Sequence, residues 1–186
     1  MGTRNLTVVF MDGKYRVAQY GQWDGYPEGQ GMVCLEFLQT MFVEYTFRRN
    51  LEKLKFIQTQ EELDAINTLY PHCPPEVNRD TGAKILKLIQ QGEIESGCLV
   101  NNIGFAVDKS GFDCEWCYVI DLDSRTFEVY DGYHDDPLTE FDRFYFLVKH
   151  RKESEHFGVK LVASWDLGHL PTKEEFIKRF SDDEEE

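Results

Sequence analysis

Residues 3–31 read TRNLTVVFMDGKYRVAQYGQWDGYPEGQG, and the first eighteen of them decide the fold class. Leu6, Val8 and Phe10 alternate with Thr7 and Val9, the period of a strand. Asp12-Gly13 supplies the two positive-φ residues of a tight turn, and Tyr15, Val17 and Gln19 resume the alternation on the return. The chain therefore opens with a β-hairpin. Where the return strand stops, Tyr20–Gly31 gathers four glycines, one proline, three aromatics, two carboxylates and two carboxamides in twelve residues. Regular structure avoids that mixture, so the segment reads as a preorganised surface loop aimed by its neighbours.

From Gln30 the period changes to that of a helix. Leu35, Leu38, Met41 or Phe42, and Tyr45 recur at helical spacing to about Arg49, with Val33 and Phe37 on other faces. A second helix spans Gln60 to about Leu69, with Thr59 and Glu62 as a capping box and Leu63, Ile66 and Leu69 on one face. Pro71, Pro74 and Pro75 stop any helix there. A third runs from about Thr81 to Gln91, with Ile85, Leu88 and Ile89 facing inward and Gly92 at its end. Cys98–Val107 fits a strand or a short helix. Trp116–Leu122 and Thr126–Tyr130 flank Asp123-Ser124-Arg125 as a second hairpin. Asp131–Pro137 is turn-rich, and Phe141–His150 fits helix or strand. Val159–Trp165 reads as a last strand, and Thr172 with Glu175 caps a short helix through Phe180. The pattern predicts an α+β fold: a mostly antiparallel sheet, made from both hairpins and the C-terminal strand, covered by about four helices. Residues 1–180 are expected to form a single domain, and 181–186 a disordered acidic tail.

The 186 residues suffice for one sizeable core. Net charge is −14, from 34 acidic and 20 basic residues, and the body stays acidic without the five acids of Asp182–Glu186. That balance opposes nucleic acid, whose phosphates need clustered Lys and Arg, and opposes anionic membrane surfaces. An acidic surface serves solubility, or docking onto a basic protein partner. Cys34, Cys73, Cys98, Cys114 and Cys117 are odd in number and irregularly spaced, which points to free thiols in a reducing compartment. The early apolar run Leu6–Met11 is too short and too interrupted for a secretory leader, and no segment approaches the ~20 apolar residues of a membrane helix. Gly2 lacks the Ser or Thr that myristoylation wants, position six being Leu6. The expected location is cytoplasmic.

The loop is the candidate site. Trp23 and Tyr26 suit a planar ring, with Gln22, Asp24 and Gln30 reading its polar edge and Tyr20 and Glu28 on the same rim. Gln30 and Gly31, ahead of a helix, suggest backbone N–H groups for an anion, although Asp24 and Glu28 oppose a phosphate and the string is no recognised phosphate loop. Arg4 and Asn5 lie at the adjacent hairpin end. The plain alternative is a rigid connection whose aromatics pack onto the sheet. Asp24 and Glu28 form an acid/base pair only if they face each other. Cys114-x-x-Cys117 runs into a strand without a second pair, and His72-Cys73 completes no zinc spacing, so no metal site is expected. His134 beside Asp135 and Asp136 reads first as a solvated turn. An exposed N-terminal Thr3 nucleophile would require loss of both Met1 and Gly2. No cofactor is identified.

TRNLTVVF, the Asp12-Gly13 turn and QYGQWDGYPEGQG together resemble a functionally unassigned family of short proteins from phage, bacterial and fungal genomes. The similarity concentrates in Thr3–Leu38 and is weaker over Glu115–Tyr130 and over LPTKEEF at 170–176. The resemblance implies that hairpin, loop and helix belong together as a unit, and it carries over no catalytic residue. The expectation is a cytosolic binding protein holding a small polar or nucleotide-like ligand at residues 20–31. The alternatives are a small hydrolase or transferase using the loop carboxylates, and an acidic interaction or inhibitor module for a basic protein.

Overall fold

Asp12 and Gly13 take φ of 55° and 70° in the computed structural model, the left-handed pair that a two-residue turn needs. β1 (Asn5–Met11) and β2 (Lys14–Gly21) pair antiparallel on either side. The later hairpin forms equally as read, from β5 (Trp116–Asp121) and β6 (Thr126–Asp131), and β7 (Lys160–Asp166) adds antiparallel to β6. The structure describes residues 2–57, 59–70, 78–107, 114–152 and 155–181.

The two hairpins join through a parallel seam. β1 runs alongside β5 in register from Asn5↔Trp116 to Phe10↔Asp121, so the sheet order is β2-β1-β5-β6-β7. The fold is α+β, with this mostly antiparallel sheet. Side chains alternate across the pleat. Val9, Met11, Tyr118, Ile120, Phe127 and Val129 meet one hydrophobic cluster, and Leu6, Val8, Cys117, Val119 and Tyr130 meet another. Burial of β1 on both faces explains why Val9 is apolar where a half-exposed strand would be polar.

Five α-helices are described. α1 (Met32–Thr40), α2 (Glu44–Glu52), α4 (Ile85–Gln91) and α5 (Lys173–Ser181) cover the first face through Leu35, Phe47, Ile85, Phe176 and their neighbours. α3 (Gln60–Leu69) has the expected Thr59–Glu62 capping box but buries only Ile66, and Leu69 is 74% exposed. Among the described residues the second face is covered without α-helix, by a 3₁₀ turn at Ile103–Val107 and by the segment carrying Leu138, Phe144 and Val148.

The single helix expected from Gln30 to Arg49 is two. The amides of Met41 and Phe42 both close on the Phe37 carbonyl, at 3.0 and 2.9 Å, and Val43 is extended. This break lets Phe37, Phe42 and Phe47 meet, with ring centroids 5.6–5.8 Å apart, a contact that a continuous helix would spread around its axis. The third helix starts as a 3₁₀ turn at Gly82–Lys84 and ends at Gly92 with φ 73°. Cys98–Val107 is strand then 3₁₀ turn, and β4 (Cys98–Val100) pairs parallel with β3 (Lys55–Ile57), a strand too short to read. Phe141–His150 is turns with a 3₁₀ turn at Tyr145–Leu147, neither helix nor strand. Ser181 closes α5 rather than opening the tail. Pro71, Pro74, Pro75 and residues 182–186 lie outside the described residues.

Phe47 is fully buried at the centre of the three-ring cluster. Phe47→Ala is expected to lower the unfolding free energy by about 3–5 kcal/mol. Leu69→Ala should change it by no more than about 0.5 kcal/mol. Urea melts of the two variants check the contrast.

Candidate functional site

The loop 20–31 is fastened from below. The buried Tyr118 hydroxyl donates to the Gly25 carbonyl at 2.6 Å, and a Cβ on Gly31 would come within 2.8 Å of the Tyr118 ring, so only glycine lets the chain lie so close. Burial raises the Tyr118 pKa far above its ordinary value, so the hydroxyl keeps its proton to donate. The Gly25 amide donates to the Thr3 carbonyl at 3.0 Å. The Asn5 amide group reaches the Gly21 and Trp23 carbonyls at 3.2 and 3.3 Å. Pro27–Gly31 winds as a single π-helical turn into α1, a local geometry that concentrates at functional positions.

These bonds sort the expected ligand-binding residues. Tyr20 donates its hydroxyl to the Gln22 side-chain Oε1 at 2.6 Å and packs on Phe105. The Gln30 side-chain oxygen accepts the Ala83 amide at 2.8 Å. The Gln30 and Gly31 amides donate to the Asp24 and Tyr26 carbonyls at 2.8 and 3.4 Å. The expected anion cradle is therefore closed, because both N–H groups are used inside the loop itself. Asp24 and Glu28 are exposed and make no hydrogen bond to each other. Asp24 instead contributes its backbone, bending at φ 53°.

The two loop aromatics separate. Trp23, 47% exposed, donates its indole N–H to Asp80 at 2.8 Å and leans on Gly2, where a Cβ would fall 2.2 Å from the ring. Tyr26, 51% exposed, lines a cavity of about 380 Å³ shared with Arg4, Glu115 and Tyr133. Arg4 and Tyr26 are thus brought together, and Trp23 is not part of their concavity.

Glu115 and Tyr133 complete the site, and sequence reading missed both. Arg4 donates to Glu115 from its backbone N–H at 3.0 Å and its side-chain Nε at 3.1 Å, and the Tyr133 hydroxyl donates to the other carboxylate oxygen. Burial raises the Glu115 carboxyl, but the hydrogen bonds from Tyr133 and Arg4 and the Arg4 charge outweigh it and hold the group below the usual carboxylate range. Glu115 precedes β5 and Arg4 precedes β1, so the parallel register sets them side by side.

The remaining candidates are placed as follows. Cys114 and Cys117 are buried in the cluster on the second face without a disulfide. Cys114 lies ahead of the strand, so both thiols reach that one face, contrary to a strict strand alternation. Burial pushes the Cys117 thiol up, and complete burial pushes Cys34 to about 12. The ring nitrogens of His134 are buried without a hydrogen-bond partner, while Asp135 and Asp136 are exposed. Among the described residues no group of three or more metal-ligating side chains converges; His72 and Cys73 lie outside them. Thr3 is buried, its carbonyl holding the loop. Among the described residues no helix is long and apolar enough to cross a membrane.

No family model, curated protein or solved structure matches the chain.

A depressed carboxyl stabilises the fold above its unfolded pKa, about 4.3 for Glu, and that contribution is lost as pH falls through the lower folded value. Stability is therefore expected to decline between about pH 4.5 and the acid limit, and Glu115→Gln should flatten part of that decline. Denaturant melts at stepped pH test this; identical slopes for both proteins would contradict the assignment.

Proposed function

We propose that the protein is a cytosolic, single-domain binding protein that holds a small polar or nucleotide-like ligand in the cavity beside loop 20–31. The carrying observation is the cavity itself, about 380 Å³ and built from Arg4, Tyr26, Glu115 and Tyr133, within the range of small-molecule sites. Two tyrosines offer faces for a planar group. The Arg4–Glu115 pair offers both signs of charge at the base, which suits a ligand carrying donors and acceptors together. Glu115 disfavours a polyanion there, so the base or sugar end of a nucleotide-like ligand fits better than its phosphates.

Preorganisation supports the same reading. The loop is tied to Tyr118, Thr3, Asn5 and Ala83, so little ordering cost remains at the moment of binding. A ligand that binds only the folded protein raises its melting temperature by mass action. Across a panel of nucleobases, nucleosides, nucleotides and polar metabolites, at least one compound is expected to raise Tm. Tyr26→Ala and Glu115→Gln should each weaken that shift by roughly tenfold in ligand concentration. A panel without a responder, or a shift indifferent to both substitutions, would refute the reading.

A further inference from the structure

The two walls of the cavity beside the loop are made in the same way. Asp24-Gly25-Tyr26 follows the first hairpin and Asp131-Gly132-Tyr133 ends the second. This repeated tripeptide carries meaning only once the seam has set the two hairpin ends side by side. In each copy the glycine lies against the carbonyl of the residue one position ahead of Arg4 or Glu115. A Cβ on Gly25 would fall 2.6 Å from the Thr3 oxygen, and one on Gly132 would fall 2.1 Å from the Cys114 oxygen. The Gly25 amide donates to the Thr3 carbonyl and the Gly132 amide to the Glu115 carbonyl, at 3.0 and 2.9 Å. Only glycine admits so close a seat, and the tyrosine that follows it lines the cavity each time. Tyr26 and Tyr133 are 51% and 58% exposed, so both keep ring surface for a further contact. Trp116 meets Tyr133 in a T-shaped contact, with centroids 6.4 Å apart, which steadies that ring.

Three features of the lining narrow the ligand. Its charged side chains, among the described residues, are one cation and one carboxylate, Arg4 and Glu115, bonded to each other. An ionic ligand would give up its hydration there with no net countercharge to replace it, which favours a neutral one. The two tyrosines favour a flat conjugated ring, whose faces stack. The third feature is an acceptor. Glu115 Oε1 takes the Arg4 amide and Nε, while Oε2 takes the Tyr133 hydroxyl. A carboxylate oxygen has two lone pairs, so among the described residues Oε2 keeps one position for a ligand N–H. Against the raising effect of burial, the bonds from Tyr133 and Arg4 hold Glu115 below the usual carboxylate range. It is therefore ionised at neutral pH and only accepts.

We infer that the ligand is a neutral planar heterocycle with an N–H edge, the base of a nucleoside. It enters edge-first, with its N–H toward Glu115 and its faces toward Tyr26 and Tyr133. Phosphates on the same ligand weaken its binding, because a chain of net charge −14 repels them. This narrows the small-ligand reading above, on which it rests, from polar compounds in general to nucleobases and their nucleosides.

Isothermal titration calorimetry on the full chain tests it. The probes are adenosine, cytidine and guanosine, each beside its 5′-triphosphate and a counterpart whose base N–H groups are methylated, with ribose and L-serine as non-planar controls. At least one nucleoside is expected to bind, with its methylated counterpart and its triphosphate each weaker by roughly tenfold or more. Tyr26→Ala, which removes one stacking face, should weaken that nucleoside by about fivefold or more. The methylated probes need no variant, so they decide the matter even if Tyr26→Ala fails to fold. A methylated counterpart or a triphosphate that binds as tightly as its nucleoside would overturn the inference, as would undiminished binding to folded Tyr26→Ala. If ribose or L-serine binds and no nucleoside does, the inference falls while the small-ligand reading stands. Silence from every probe and from the wider panel would sink both.

Discussion

The parallel pairing of β1 with β5 is the constraint on which the rest of the structure depends. Each hairpin is a local object, closed by its own turn. The seam from Asn5↔Trp116 to Phe10↔Asp121 makes one sheet of them, and it does so across a chain separation of about a hundred residues, where loop-closure entropy must be recovered from packing. The seam is buried on both faces, so it is the packing of helices on one side and 3₁₀ turns on the other that holds it. The cavity lies at one end of it. Arg4 and Glu115 stand where it begins, and Phe10 and Asp121 stand where it ends.

Tyr118 extends the seam's influence to the loop. Its ring supports Gly31 and its hydroxyl holds Gly25, which fixes the turn that points Tyr26 into the cavity. The glycines of this segment are thereby explained by close approach more than by flexibility. Gly25 sits where a Cβ would fall 2.6 Å from the Thr3 carbonyl, and Gly29 where one would fall 2.2 Å from the Asp24 carbonyl. The segment is tightly seated, as a preorganised loop should be, and its exposed aromatic tips are the part left to meet something else.

Local chemistry was legible in the sequence and non-local pairing was not. Asp12-Gly13, the Thr59–Glu62 and Thr172–Glu175 capping boxes and Gly92 all act within a few residues, and each forms as read. The helix break at Met41–Val43 was hidden because Leu38, Phe42 and Tyr45 keep a helical period straight through it, while Phe42 meets Phe47 across the bend. The site was half legible. Composition pointed to the loop and its neighbour Arg4, but no local signal connects Arg4 to Glu115 or Tyr26 to Tyr133. Those partners follow only from the seam. Gln22, Gln30 and Asn5 looked like ligand-reading groups because carboxamides serve backbone bracing and ligand binding with the same atoms. The buried ion-pair cluster of Arg143 with Asp121 and Glu128 was missed for a related reason. Asp121, Glu128 and Arg143 occupy positions that a half-exposed strand and a loop would also fill with charge, and only the fold buries them together.

The central claim is that the loop is a rim held rigid by the sheet beneath it. Tyr118→Phe removes one hydroxyl and leaves the ring that supports Gly31, so amide hydrogen exchange in that variant tests the claim most directly. With one buried hydrogen bond worth about 1 kcal/mol, the amides of Gly25, Gln30 and Gly31 are expected to exchange roughly fivefold faster, while those of Val8 and Ala18 in the hairpin keep their protection. Unchanged exchange in the loop, or an equal rise across the whole sheet, would contradict it.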